Sequence, residues 1–131
     1  MLNDLKVILK KQKIKGTILL ILTTPNKDFN EKLKKLMKSK TINKSNLIVL
    51  TFFKFTQEDD EASIVSLPQE LDATSFILLL ENFILKIKPS AIFIDSTTPF
   101  TEYLSEDEKK RFIKKLNTLA VENNVKLVIL T

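Results

Sequence analysis

The sequence predicts an α/β sandwich built on a mostly parallel sheet of at least four strands. Three observations carry this expectation. Four short apolar segments, residues 17–23, 47–55, 91–95 and 125–130, have the length and side chains of buried strands. Amphipathic stretches of ten or more residues separate them, as crossovers between parallel strands require. The length, 131 residues with 44% hydrophobic and 28% charged side chains, suits a single domain with a substantial core, spanning 1–131.

The elements follow in order. Residues 2–13 place Leu2, Leu5 and Leu9 at helical spacing with lysines between them, and Gly16 ends the pattern. Residues 17–23 read ILLIL between threonines, a strand buried on both faces. Thr24, Pro25 and Asn26 form a turn, after which Asp28 and Glu31 resemble a helix cap. Leu33, Leu36 and Met37 extend that helix to about residue 40. In residues 47–55, Leu47, Val49, Thr51, Phe53 and Phe55 share one face of a strand. Ile48, Leu50, Phe52 and Lys54 share the other.

An acidic loop follows at 57–61, then a short extended segment at 63–67. Asp72 or Thr74 caps a helix over 74–87, whose stripe is Phe76, Ile77, Leu80, Phe83, Ile84 and Ile87. Leu78, Leu79 and Leu85 fall off the stripe, making this helix apolar almost all round, and Pro89 ends it. The strand AIFID closes on Asp95, and residues 96–104 form a loop. Ser105 and Glu108 make a capping box for a helix carrying Phe112, Ile113, Leu116, Leu119 and Ala120 inward. Asn123 and Asn124 end it before a fourth buried strand. The expected order is α-β-α-β-α-β-α-β, a minimal or truncated domain without repeats or linkers.

Composition excludes several chemistries. The chain has no His, no Cys, no Trp and one Gly. A Ser-His-Asp triad, a thiol nucleophile, a disulfide and an ordinary zinc site are therefore ruled out. A glycine-rich phosphate loop cannot be built from one glycine. The lysine-rich N-terminus lacks the apolar run of a secretory signal, and no apolar stretch approaches membrane-span length. A soluble cytoplasmic protein is expected, with no membrane insertion.

Charge is uneven. Residues 1–54 carry 13 lysines against Asp4, Asp28 and Glu31, whereas 55–131 carry 8 basic and 13 acidic residues. A basic half can bind polyanions, and Lys34, Lys35 and Lys38 on one helix are the candidate nucleic-acid contacts. The plainer reading is a solvated lysine face. Arg111 is the sole arginine, while phosphate and base recognition favour Arg. The enrichment in Lys, Ile and Leu also fits thermophily or a biased genome.

In a parallel α/β sheet, ligands bind beyond the carboxyl ends of the strands. Asp95, ending an apolar strand and followed by Ser96, occupies the position of a Walker-B aspartate, the residue that holds Mg²⁺ in nucleotide hydrolases. As an ordinary residue it would be a turn former or cap. The acidic run Glu58, Asp59, Asp60 and Glu61 lacks the glycine and spacing of a calcium loop. Phe52, Phe53, Lys54 and Phe55 mix aromatics and a cation as in single-strand nucleic-acid platforms, but strand alternation already explains them.

Residues 88–131, KPSAIFIDSTTPFTEYLSEDEKKRFIKKLNTLAVENNVKLVILT, resemble the second half of a RecA-type ATPase core of the KaiC-like branch. That branch includes the archaellum motor accessory ATPase. The shared pattern is a strand ending Asp-Ser, a Ser/Thr-rich loop, a long amphipathic helix and an apolar strand ending in Thr. KGTILLILTTP, residues 15–25, is similar to the family's first strand and its lead-in. The resemblance implies a RecA-like fold over most of the chain. It also implies a phosphate loop, G-x-P-G-x-G-K-[ST], falling on Thr23, Thr24, Pro25, Asn26, Lys27, Asp28, Phe29 and Asn30. Every glycine is missing there, Phe29 stands at the phosphate lysine and Asn30 at the Mg²⁺ hydroxyl. Asp28 places a negative charge where phosphate would sit, and Lys27 lies two positions early. Near the position of the family's catalytic Glu stands Lys54, which cannot act as a base.

The resemblance therefore implies a degenerate core without catalytic residues, cofactor or metal, in which Asp95 caps the amides of 96–98. The expected role is a non-catalytic protein-interaction or regulatory module that joins a second copy or an active RecA-like ATPase. Leu78, Leu79 and Leu85 are its candidate contacts. Two alternatives stand beside it: a nucleic-acid-binding protein using the basic half, and a weak Mg²⁺-dependent nucleotide enzyme using Asp95 and Lys27.

Overall fold

The computed structural model describes residues 16–23, 31, 47–52, 63–66 and 71–130. Five strands, β1 (Ile18–Leu22), β2 (Leu47–Thr51), β3 (Ser63–Ser66), β4 (Ala91–Ile94) and β5 (Lys126–Ile129), form one sheet in the order β3-β2-β1-β4-β5. Every pairing is parallel. With the flanking helices this is a three-layer α/β sandwich, the class the apolar periodicity predicts. The expectations for residues 2–13 and 28–40 lie outside the described residues, as do those for Lys54 and the acidic run 58–61.

The sheet centre shows why its strands are so apolar. β1 pairs with β2 on one side, Ile18 opposite Leu47, and with β4 on the other, Ile18 opposite Ala91. All five β1 residues are buried, so polar side chains have no place on either face. Alternation sends Leu19, Ile21, Leu50, Ile92 and Ile94 to one core, together with residues of the two long helices. Leu20, Leu22, Val49 and Phe93 point the other way and are equally buried.

Gly16 admits the chain to β1 with φ +95°. A side chain there would be strained, and its Cβ would collide with the Ser90 hydroxyl. The crowding arises because Ser90 is tied to the strand start, its N–H donating to the Thr17 carbonyl at 2.7 Å.

Helix α1 (Ala73–Ile87) begins where Asp72 accepts from the Ser75 N–H, and it buries Phe76, Leu80 and Ile84. It ends at Lys88, which adopts the left-handed conformation and donates its N–H to Ile84. The stop therefore comes one residue before Pro89, through backbone reversal. Helix α3 (Glu106–Glu122) has the expected capping box, with Ser105 and Glu108 each bonded to the other's backbone, and buries Phe112, Leu116 and Ala120. Asn124 turns it off at φ 58°, and Val125 N–H returns to the Ala120 carbonyl.

Three expectations need correction and one is sharpened. The extended segment expected at 63–67 is strand β3 at 63–66, pairing with β2 and bonding Thr51 Oγ1 to Ser66 Oγ at 3.1 Å, so the strands among the described residues number five, in keeping with the expected four or more. Residues 96–104 contain a short helix, α2 (Thr98–Thr101), started by Pro99 and folded so that Phe100 enters the core. The last strand is not buried: β5 is an edge strand whose side chains are half-exposed or exposed, because only β4 pairs with it among the described strands. Leu79 is half-buried and packs against the core, so it does not belong to an outward face with Leu78 and Leu85.

Phe100 completes a ring cluster. It stacks on Phe76 with centroids 4.1 Å apart and meets Phe52 edge-on at 5.5 Å. Phe112 closes the other side, 6.2 Å from Phe76. Burying each such ring contributes about 2–3 kcal/mol relative to leaving it in water. The cluster fixes α2 and the start of α1 against the carboxyl ends of β2 and β4.

Candidate functional site

The strand order sets where a ligand site belongs. From β1 the sheet extends through β2 and β3 in one direction and through β4 and β5 in the other. The β1–β4 junction is therefore a switch point, and the crevice outside its carboxyl end is the usual ligand position in such sheets. Thr23 and Asp95 emerge there side by side.

Asp95 is 1% exposed. Its Oδ1 accepts from Thr23 N–H at 2.9 Å, from Thr23 Oγ1 at 2.7 Å and from its neighbour Ser96 N–H at 2.7 Å. These are short, charge-assisted bonds. They join the exit of β1 to the exit of β4 across 72 residues of sequence. The Thr23 hydroxyl also lies 2.9 Å from the Ser96 carbonyl. A hydroxyl has one proton, so it serves one of these two acceptors at a time.

The turn beyond is closed on itself. Thr98 N–H donates to Ser96 Oγ at 3.2 Å, and Thr101 Oγ1 donates to the Thr97 carbonyl. Asp95 thus takes the Ser96 amide, while the Thr98 amide goes to Ser96. The Ser75 amide at the start of α1 is likewise taken by Asp72 at 2.7 Å. Backbone N–H groups are what receive phosphate at such crevices. Thr23, Ser96, Thr98 and Ser75 all give theirs to side chains of this chain.

Beside Thr23 lies a cavity of about 690 Å³. Buried Phe100 and half-buried Phe52, Leu71 and Leu104 form its apolar surface, and exposed Asp72, Glu102 and Tyr103 stand at its edge. Asp72 is held below its ordinary carboxylate value by the Ser75 backbone amide and then the Ser75 hydroxyl. A larger hollow of about 800 Å³ runs along the outer face of α3, past Lys110, Lys114 and Val121. It receives nothing from a strand end and lies away from the switch point.

Of the residues singled out by sequence, the structure brings Thr23 and Asp95 together. Thr24, Pro25, Asn26, Lys27, Asp28, Phe29 and Asn30 lie outside the described residues, as do Lys34, Lys35 and Lys38. Leu78 and Leu85 are 56% and 62% exposed and stand two turns apart on one stripe of α1. Sequence reasoning named Thr23 but missed the other cavity residues. Phe52 read as strand core, Asp72 as a cap, and Glu102 carried no pattern at all. Tyr103, the sole tyrosine, was the one available signal, and the fold leaves it 91% exposed.

Among the described residues no group of three or more acidic, His or Cys side chains is placed to hold a metal, and no helix is long and apolar enough to cross a membrane. Compared with known proteins, the chain matches no family model and no curated relative.

Proposed function

We propose that this chain is a non-catalytic, RecA/KaiC-like pseudo-ATPase that acts as a protein-interaction or regulatory module. The observation that carries the reading is the engagement of Asp95. A carboxylate that holds Mg²⁺ through water must present its oxygens to the crevice. Here Oδ1 faces three donors from the strand exits, and its bonds serve to pin β1 to β4. The missing loop glycines and phosphate lysine point the same way. So does the engagement by Asp95 of the Thr23 amide, the one amide of that loop among the described residues.

Outward from the sheet, the exposed Leu78–Leu85 stripe supports an interaction role. Two leucines more than half exposed at a seven-residue step lie on one side of the helix, where a partner could cover both. The partner in this reading is a second copy or an active RecA-like ATPase.

Calorimetric titration with ATP and Mg²⁺ tests the first half. No saturable heat at millimolar nucleotide is expected, and saturable binding would overturn the pseudo-ATPase reading. Sedimentation velocity tests the second half. Self-association of the wild type that is abolished in Leu85→Glu, with the unfolding midpoint unchanged, is expected for a homo-oligomer. A strictly monomeric wild type would remove the homo-oligomer.

A further inference from the structure

We propose that the cavity at the β1–β4 switch point binds a small organic cation, an ammonium or guanidinium group carried on an aromatic or apolar body. The proposal goes beyond the interaction reading and does not rest on it.

Size and shape come first. At about 690 Å³ the cavity falls in the range of small-molecule sites, and it sits where the topology of a parallel sheet places ligands. Its inner surface is aromatic: Phe100 is fixed by stacking on Phe76, and Phe52 is fixed edge-on against Phe100. A ligand body would rest on rings that are already immobile, so little ordering cost attends its entry.

Charge selects the sign. The chain as a whole is +5, yet the charged side chains among the described lining residues are Asp72 and Glu102, both exposed at the mouth. An anion would meet two carboxylates and aromatic faces, which carry negative potential. It would also find the amides of Thr23, Ser75, Ser96 and Thr98 already engaged. A cation would meet the same carboxylates as partners and the rings as cation–π surfaces. Tyr103, 91% exposed beside Glu102, offers a further ring at the rim. Asp72 keeps its charge to lower pH than an ordinary carboxylate because it caps α1.

Three probes of matched shape test this: phenethylammonium, phenethyl alcohol and 3-phenylpropionate, titrated into uniformly ¹⁵N-labelled protein. Phenethylammonium is expected to shift the amides of Thr23, Phe52, Ala73, Phe100 and Tyr103 saturably. It should bind about tenfold more tightly than the alcohol, with the carboxylate weakest. The variant Asp72→Asn/Glu102→Gln keeps a capping side chain at 72 and removes both charges. It should lose the preference for the cation over the alcohol while its spectrum stays dispersed as in the wild type. Equal affinity for cation and alcohol, preference for the carboxylate, shifts confined to another surface, or no saturable shift for any probe would each overturn the proposal. A double variant that keeps the full cation preference would do the same.

Discussion

Replacing Asp95 with Ala removes the acceptor that holds the two strand exits together, and its cost follows from the donors left behind. Among the described residues three groups lose Oδ1: Thr23 N–H, Thr23 Oγ1 and Ser96 N–H. The hydroxyl recovers by turning fully to the Ser96 carbonyl, 2.9 Å away. Thr23 N–H sits on an 8% exposed residue and has no such recourse, while half-buried Ser96 can reach water. A buried orphaned donor costs about 1–3 kcal/mol and a partly wetted one about half that. Asp95→Ala should therefore lose about 3 kcal/mol, and Asp95→Asn, which keeps one acceptor but loses the charge, about 1.5 kcal/mol. Urea unfolding followed by far-UV circular dichroism measures both. The slope of the transition should be unchanged and the midpoint should fall in that order. A loss below about 0.5 kcal/mol in Asp95→Ala would refute the strand-pinning role. So would Mg²⁺-ATP stabilising the wild type but not Asp95→Asn.

Three other outcomes follow from the same structure. Gly16→Ala should destabilise by about 2 kcal/mol, because φ +95° and the Ser90 hydroxyl both oppose a Cβ; adding Ser90→Gly should recover the steric part only, as thermal melts will show. Phe76→Ala should cost about 4 kcal/mol in urea unfolding, since the ring is fully buried and its loss leaves Phe100 without its stacking partner. Stability should also fall in acid. Asp72 is lowered by the Ser75 amide and then its hydroxyl. Glu108 is lowered by the Ser105 side chain and then its backbone. A carboxylate lowered in the folded state contributes fully above its unfolded value, and that contribution is lost as pH falls through its folded value. The urea midpoint should thus hold through neutral and mildly acidic pH and then drop below the ordinary carboxylate range. An Asp72→Asn/Glu108→Gln variant should drop less steeply, and an identical drop would count against these caps.

Most of what is local was legible in the sequence. The unbroken apolar run ILLIL and the β-rich run around LIVLT gave buried strands, and spacing at Phe76, Leu80 and Ile84 gave a helix face. Ser105 with Glu108 gave a capping box, and the cap of α1 was narrowed to Asp72 or Thr74, of which the structure takes Asp72. These signals are legible because a helix or strand repeats over a few residues and its ends are satisfied by neighbours in the chain. The same reasoning named Asp95, since a carboxylate ending an apolar strand is a local pattern.

Tertiary structure decided the rest. Whether the segment at 63–66 becomes a strand depends on β2 lying beside it, and whether β5 is buried depends on what flanks it in the sheet. Leu79 and Leu78 are adjacent and equally apolar, yet one packs on the core and the other faces out. That difference follows from how α1 is rotated against the sheet. Thr23 meets Asp95, and Phe52 meets Phe100 beside Asp72 and Glu102, only because the strand order brings distant segments to one end of the sheet. Periodicity gives the main stripe that an element buries. It carries no term for which element lies next to it, because that choice is made by packing between parts of the chain that are far apart in sequence.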